Sequence, residues 1–308
     1  MAGRDGAAGP RRFLIVAGAA KAGTSSLAGW LAERPDVAQG PRKEPRYFTV
    51  FDEMAWSGPN GDRVGPTVAR ERPDYLAAFA RHKPGAEWGL DASTDYLWHE
   101  PALGRILAWR ERFPVKVVVV LRDPIDRAIS EYRHTVRDHI ETESLTRSIE
   151  LEPERRAAGW HPLFYHVRRS QYAADVARFR AALGDDLLVL GYGELADRLA
   201  LLRKLEAFAG LAPMDVGSDE RRNASHVYRS APLARMVRRA PALRAARRML
   251  PTRLRARFRG RLQRALRRDF EASESELALL RERLAEDIAA CVADPDIPTG
   301  GWRRALGG

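Results

Sequence analysis

Residues 13–27, FLIVAGAAKAGTSSL, constrain this chain more than any other stretch. Five apolar residues from Phe13 to Ala17 suit a parallel strand buried on both faces. The strand runs into a loop of small residues that carries one lysine, Lys21. Gly18 and Gly23 let the backbone approach an anion. Thr24, Ser25 and Ser26 can open a helix whose free N–H groups face that anion. The segment reads as a phosphate cradle, against the plainer reading of a strand-to-helix turn with a solvated lysine.

The position of the lysine narrows the kind of anion. A Walker-type loop places lysine directly after its second glycine, followed by a metal-binding hydroxyl. Here Gly23 is followed by Thr24 and Ser25, and the lysine has moved inside the loop. That register disfavours a nucleoside triphosphate held with Mg²⁺ and favours a metal-free site with a lysine over the transferred group.

A second motif lies about a hundred residues on, VKVVVVLRDPIDRAISEYRH over residues 115–134. The β-branched run Val117–Leu121 is typical of a central parallel strand. Arg122 then sits at its carboxyl end, where ligands bind in open α/β sheets. Pro124 fits the first turn of the next helix and Ser130 lies about two turns into it. An arginine and a hydroxyl can therefore meet one phosphate.

Together the two motifs make the chain resemble the P-loop-like sulfotransferases that use 3′-phosphoadenosine 5′-phosphosulfate (PAPS), and most of all the heparan-sulfate-type branch and its bacterial relatives. The resemblance covers residues 13 to about 230. It implies a three-layer α/β/α fold with a central parallel sheet, like that of P-loop NTPases. It implies that Lys21, Ala22, Gly23, Thr24, Ser25 and Ser26 bind the 5′-phosphosulfate and that Arg122 and Ser130 bind the 3′-phosphate. The segment KEPRYF, residues 43–48, resembles the family segment that supplies the catalytic base, which carries over to Glu44, with Lys43 beside it as an acceptor contact. DASTDYL, residues 91–97, resembles an acidic-Lys-Thr-Pro segment but has Ala92 in place of the lysine. Asp91, Ser93 and Asp95 are then candidates to meet a differently charged acceptor.

Further along, Arg169-Ser-Gln-Tyr172 resembles a cofactor-contacting element at the start of a long helix, although Tyr172 fits core packing equally well. A buried strand over Leu187–Leu190 and a helical run from Leu195 to Phe208 follow the family order. Arg229, in a stretch resembling a loop that closes over the cofactor, is a candidate second contact to the 3′-phosphate. His134 and His139 compete for the role of base, because another branch of the family uses histidine. Both follow Arg122 on its helix rather than the strand edge facing Lys21, which favours Glu44 and leaves His134 as an acceptor contact. His161, His166 and His226 lack metal-ligand spacing and read as structural or surface residues.

Composition fits this placement. Alternating strand and helix signals over 308 residues favour one domain spanning 11–308, after a disordered tail at 1–10. The single cysteine, Cys291, reads as a buried filler and excludes an intrachain disulfide, which points to a reducing compartment. No segment approaches the length of a membrane span, and Arg11-Arg12 before an apolar stretch competes as an export signal but is the weaker reading, because cleavage near Ala20 would remove the phosphate loop or its strand. Seventeen arginines and no other Asp, Glu, Lys or Arg lie between Arg221 and Arg268, so this stretch carries +17 while the net charge is +11. Within it Leu254, Phe258, Leu262 and Leu266 mark an apolar stripe on a basic helix. The helix suits packing on the domain, or contact with an anionic membrane surface or acceptor, better than nucleic acid, which calls for aromatic interleaving.

The expectation is thus a cytoplasmic enzyme, peripheral to the inner membrane face at most, that transfers a sulfuryl group from PAPS to a hydroxyl, or less readily an amine, of a glycan, glycolipid or small molecule. It needs no metal. A P-loop kinase or nucleotide hydrolase and a non-catalytic basic membrane-binding protein are the competing readings. The first requires Mg²⁺ and the second lacks turnover.

Overall fold

The computed structural model describes residues 9–59, 71–214 and 270–307, together with the backbone pairing of residues 227–228 and 267–268. Most of the arginine-rich stretch, with the helix expected over 254–266, and Arg229 and His226 lie outside the described residues. So do residues 1–8 of the expected tail, whereas Pro10 is buried.

Five parallel strands form the central sheet: β1 (Arg12–Gly18), β2 (Val37–Gln39), β3 (Trp88–Asp91), β4 (Val115–Leu121) and β5 (Leu187–Gly191). Their order across the sheet is β2-β3-β1-β4-β5. The two uninterrupted apolar runs of the sequence occupy its centre. Phe13–Ala17 and Val117–Leu121 are all fully buried, as strands covered on both faces must be. Chain order reverses about β1, so the carboxyl ends of β1 and β4 open side by side at the topological switch point.

Helices cover both faces: α1 (Thr24–Ala32), α2 (Arg72–His82), α3 (Glu100–Arg110), α4 (Pro124–Arg137), α5 (Leu145–Ala157), α6 (Ala173–Leu183), α7 (Arg198–Ala209) and α8 (Glu274–Ala293). The motif after β4 builds its own helix start. Asp123 accepts from the backbone N–H groups of Ile125 (3.0 Å) and Asp126 (3.2 Å), with Pro124 in the first turn, where no amide donor is missed. Helix α8 buries Leu280, Leu284, Ile288 and Cys291, one face at helical spacing. Cys291 is fully buried, and burial beside Asp287 pushes its thiol well above the usual range, so it is an inert filler. Asp287 of α8 also caps α6, accepting from the N–H groups of Tyr172 (2.8 Å) and Ala173 (3.0 Å). The helix expected from Leu195 begins instead at Arg198. Residues 192–196 form a 3₁₀ turn, and the Asp197 carboxylate caps the next helix by accepting from Ala200 N–H at 2.9 Å.

Phe13 anchors the aromatic part of the core, with ring centroids 5.3–6.0 Å from those of Tyr75, Phe79, Trp109 and Phe113. Phe13→Ala is expected to lower unfolding free energy by about 3–5 kcal/mol. Denaturant unfolding followed by tryptophan fluorescence measures this, and a loss below about 1 kcal/mol would show that the cluster is not cooperative with the sheet.

Candidate active site

The loop after β1 turns by two residues in the left-handed region, Lys21 at φ 69° and Gly23 at φ 82°. Gly23 has no room for a side chain: a Cβ there would lie 2.6 Å from Leu195 Cδ2 and 3.1 Å from Tyr192 Cε2. As the residue before α1 it leaves that helix's amino end without a side-chain cap. The N–H of Ser26 turns back to the Gly23 carbonyl at 3.0 Å. Those of Gly23, Thr24 and Ser25 have no protein partner among the described residues, an arrangement suited to an anion.

These groups open into a cleft of about 1230 Å³. Of the sequence-predicted residues, Lys21, Gly23, Thr24, Ser25, Ser26, Lys43, Glu44, Asp95, Arg122, Ser130 and His134 all line it. No carboxylate lies within ion-pair distance of the Lys21 ammonium among the described residues. Its pKa is lowered to about 8, chiefly by burial, against the pull of Glu131.

Glu44 faces the loop from the segment after β2. Its Oε1 accepts from Lys43 Nζ (3.1 Å) and Thr94 Oγ1 (3.3 Å), and its Oε2 from Arg46 Nη2 (3.3 Å). Lys43 Nζ also donates to Thr24 Oγ1 at 3.3 Å, joining the Glu44 segment to the phosphate loop. At the end of β4, Arg122 donates to the Lys21 carbonyl (3.3 Å) and lies 4.9 Å over the Tyr192 ring. Its Nε is buried with no partner among the described residues.

Several candidates sit elsewhere than the sequence placed them. Asp91 and Ser93 are buried behind the wall rather than exposed to an acceptor. Asp91 accepts from the hydroxyls of Tyr75 (2.9 Å), Tyr96 (2.7 Å) and Ser93 (2.6 Å), and burial raises its pKa to about 6. Ser93 Oγ in turn accepts from Arg46 N–H at 2.9 Å, bracing the Glu44 segment. Ala22 is buried and its N–H bonds the Ala19 carbonyl at 3.2 Å. Tyr172 is fully buried and donates to the Arg122 carbonyl at 3.1 Å, so it supports the strand end from below the cleft.

His134, expected away from Lys21, lines the cleft close enough for the Lys21 charge to help burial lower its pKa to about 4. Its Nδ1 meets an Arg137 guanidinium N–H and lies 3.8 Å from a carboxylate oxygen of Asp138. His161 also lines the cleft, and its pKa is lowered to about 4 by burial. His166 is fully buried.

The sequence reading missed Trp30, Arg46, Glu131, Arg133, Tyr192 and Arg198, all on the cleft wall. Arg198 lies 5.5 Å over the Trp30 ring. One local signal existed: Tyr192 follows β5 directly, at the ligand-binding edge of the sheet. Among the described residues, no group of three His, Cys, Asp or Glu side chains is arranged to hold a metal ion.

The fold has counterparts among solved structures. The chain is similar to a sulfotransferase from Alicyclobacillus acidocaldarius, with a TM-score of 0.69, 27% identity, and coverage of 96% of this chain and 99% of that chain. A sulfotransferase domain from the curacin biosynthetic pathway aligns at 14% identity, over 68% of this chain and 76% of that one, with a TM-score of 0.40. A sulfotransferase domain from the Synechococcus PCC 7002 olefin synthase aligns at 16% identity, over 66% and 73%, with a TM-score of 0.38. No protein-family model and no curated protein matches the chain. The architecture is the α/β fold of sulfotransferases, and the first likeness supports a transferase of that kind.

The state of Lys21 sets a pH dependence. A lysine with a free-state pKa of about 8 is mostly charged at pH 7 and mostly neutral at pH 9. A phosphomonoester is doubly charged throughout that interval. Affinity for adenosine 3′,5′-bisphosphate is therefore expected to fall about tenfold from pH 7 to pH 9, and Lys21→Met to flatten the trend. Calorimetry across that range checks it. A wild-type affinity independent of pH would mean that Lys21 does not face the ligand.

Proposed function

We propose that the protein is a sulfotransferase that moves the sulfuryl group of PAPS to an acceptor hydroxyl, in the manner of the heparan-sulfate-type branch and its bacterial relatives. One observation carries the reading: the unpaired Lys21 ammonium and the free N–H groups of its loop share one cleft with Glu44 on one side and Arg122 with Ser130 on the other. The likeness to the Alicyclobacillus acidocaldarius sulfotransferase supports it.

The donor groups fit a nucleotide with phosphates at two ends. N–H groups of Gly23, Thr24 and Ser25 suit the 5′-phosphate, while Arg122, through its unpartnered Nε, and Ser130 suit the 3′-phosphate. Trp30 and Tyr192, each under an arginine, offer aromatic faces for the base. When bound, PAPS supplies an activated sulfuryl group and a phosphate leaving group.

The protein's own residues do the rest. Glu44 takes the proton from the acceptor hydroxyl as the oxygen attacks sulfur in line. Lys21 steadies the negative charge that grows on the bridging oxygen, which is where an ammonium with no carboxylate in ion-pair distance among the described residues is most useful. His134 lines the same wall and suits a contact to the acceptor. Sulfuryl transfer on these terms relies on positioning and charge, with no metal.

The acceptor falls within the broad class of glycans, glycolipids and small hydroxylated metabolites. Where the heparan-type pattern has a lysine, Ala92 is fully buried, and the cations beside Glu44 are Lys43 and Arg46. The protein acts in the cytoplasm, and residues 221–268 give it a basic segment suited to an anionic surface. No helix among the described residues is long and apolar enough to cross a membrane.

Arg122→Ala tests the identity of the donor. It is expected to weaken adenosine 3′,5′-bisphosphate by about 1.5–3 kcal/mol while changing adenosine 5′-phosphate little, since only the former carries the 3′-phosphate. Calorimetry on both ligands makes the comparison. Equal losses would mean that Arg122 does not read the 3′-phosphate.

A further inference from the structure

The charged residues around Glu44 and those on α4 form a single line of alternating charge. Glu44 Oε2 accepts from Arg46 Nη2 at 3.3 Å, and Arg46 Nε donates to Asp95 Oδ2 at 3.0 Å. The other Asp95 oxygen accepts from Arg169 Nη2 at 2.7 Å. Arg169 Nη1 donates to Glu131 Oε1, and Glu131 Oε2 accepts from Arg127 Nη1 at 2.6 Å. Six residues from four separate segments thus carry three positive and three negative charges, joined end to end.

Burial increases along the line. The Glu44 and Arg46 side chains are 26% and 22% exposed, whereas Arg169, Glu131 and Arg127 are 5%, 1% and 0% exposed. An exposed ion pair rearranges readily, but a buried one is held, because losing either partner strands a charge away from water. The inner end is fixed further: Arg127 donates to Ser170 Oγ at 2.5 Å and to the His166 carbonyl at 2.6 Å. The outer end is the carboxylate read above as the base.

Arg169 occupies the middle of this line. Its two Nη groups engage two different carboxylates, a planar fork that lysine cannot reproduce, and its guanidinium lies 5.6 Å from the centre of the Trp98 ring. Both terminal nitrogens are thereby committed to the protein, while its Nε is buried with no partner among the described residues. Glu131, on the far side of Arg169, exerts the strongest charge attraction on Lys21.

We propose that Arg169 is a positioning residue: by bridging Asp95 and Glu131 it fixes Arg46, and through Arg46 the Glu44 carboxylate, relative to the α4 wall that faces Lys21. The inference rests on the reading of Glu44 as base. It makes Arg169 act on turnover through Glu44 alone and leave donor binding untouched.

A double-mutant cycle tests this on the full-length chain, measuring turnover of ³⁵S-labelled PAPS with 2-naphthol and with water as probe acceptors. Arg169→Lys is expected to lower kcat by about 10–100-fold. The KM for PAPS and the affinity for adenosine 3′,5′-bisphosphate are expected to change by less than about threefold. In a Glu44→Gln background the same substitution is expected to add less than about threefold, because the group it positions is already gone. Arg46→Lys, at the more exposed end, repeats the cycle with little risk to folding and is expected to couple to Glu44 in the same way.

Additive effects in both cycles, or a loss of bisphosphate affinity as large as the loss of turnover, would overturn the proposal. If Glu44→Gln alone keeps wild-type turnover, the base assignment fails. If Glu44→Gln is inactive and the cycles are additive, only the positioning role fails.

Discussion

Parallel pairing of β1 with β4 is the constraint on which the cleft depends. Two neighbouring parallel strands deliver whatever follows them to the same edge of the sheet, whatever their separation in the chain. Here the register runs from Phe13↔Val115 to Val16↔Val118, so the Lys21 loop and Arg122 emerge together. Because both strands are fully buried, a slip in register would displace the core and the site at once. The Arg122 contact to the Lys21 carbonyl and the Tyr172 contact to the Arg122 carbonyl then set the two strand ends against each other.

Electrostatics at this edge are arranged unevenly. Glu44, Arg46, Asp95, Arg169, Glu131 and Arg127 satisfy one another within the protein, and their charges balance. Lys21 and the amino end of α1 are left with positive character that no described carboxylate meets at ion-pair distance, whereas Arg122 lies 3.8 Å from Asp126 and keeps an unpartnered Nε. Burial has lowered the Lys21 pKa to about 8, so an arriving negative charge favours its charged form. The same contrast separates function along the cleft: the unmatched cations suit a bound anion, and the matched network suits a base that must keep its place.

The sequence made the sheet and the loop legible because both depend on local pattern. Continuous apolar runs at Phe13–Ala17 and Val117–Leu121 can only be central strands of this kind of sheet, and Gly23 is required by its own φ and by Leu195 above it. Glu44, Arg122 and Ser130 were picked out by short motifs, and the structure brings them to one cleft. What the pattern could not convey is depth. Asp91 and Ser93 stand beside cleft residues in sequence, yet β3 ends inside the domain, so their side chains turn to Tyr75, Tyr96 and the Arg46 backbone. His134 follows Arg122 in the chain and so reads as set apart from Lys21, but about three turns along α4 it still lines the cleft. Trp30 and Arg198 come from α1 and α7 and the line of alternating charge from four segments, so neither has any signature short of the folded chain, whereas Tyr192 has the local one of following β5 directly.

The central claim is that this cleft transfers a sulfuryl group with Lys21 acting on the leaving oxygen. Single-turnover transfer of ³⁵S from labelled PAPS, by the wild-type chain and by Lys21→Ala, tests it most directly, with adenosine 3′,5′-bisphosphate affinity measured alongside. The account predicts that the wild type separates the label from adenosine 3′,5′-bisphosphate, and that the variant is about a hundredfold slower or worse with a much smaller loss of affinity. A wild-type protein that binds the donor and leaves it intact, or a variant within about threefold of wild-type rate, would contradict it.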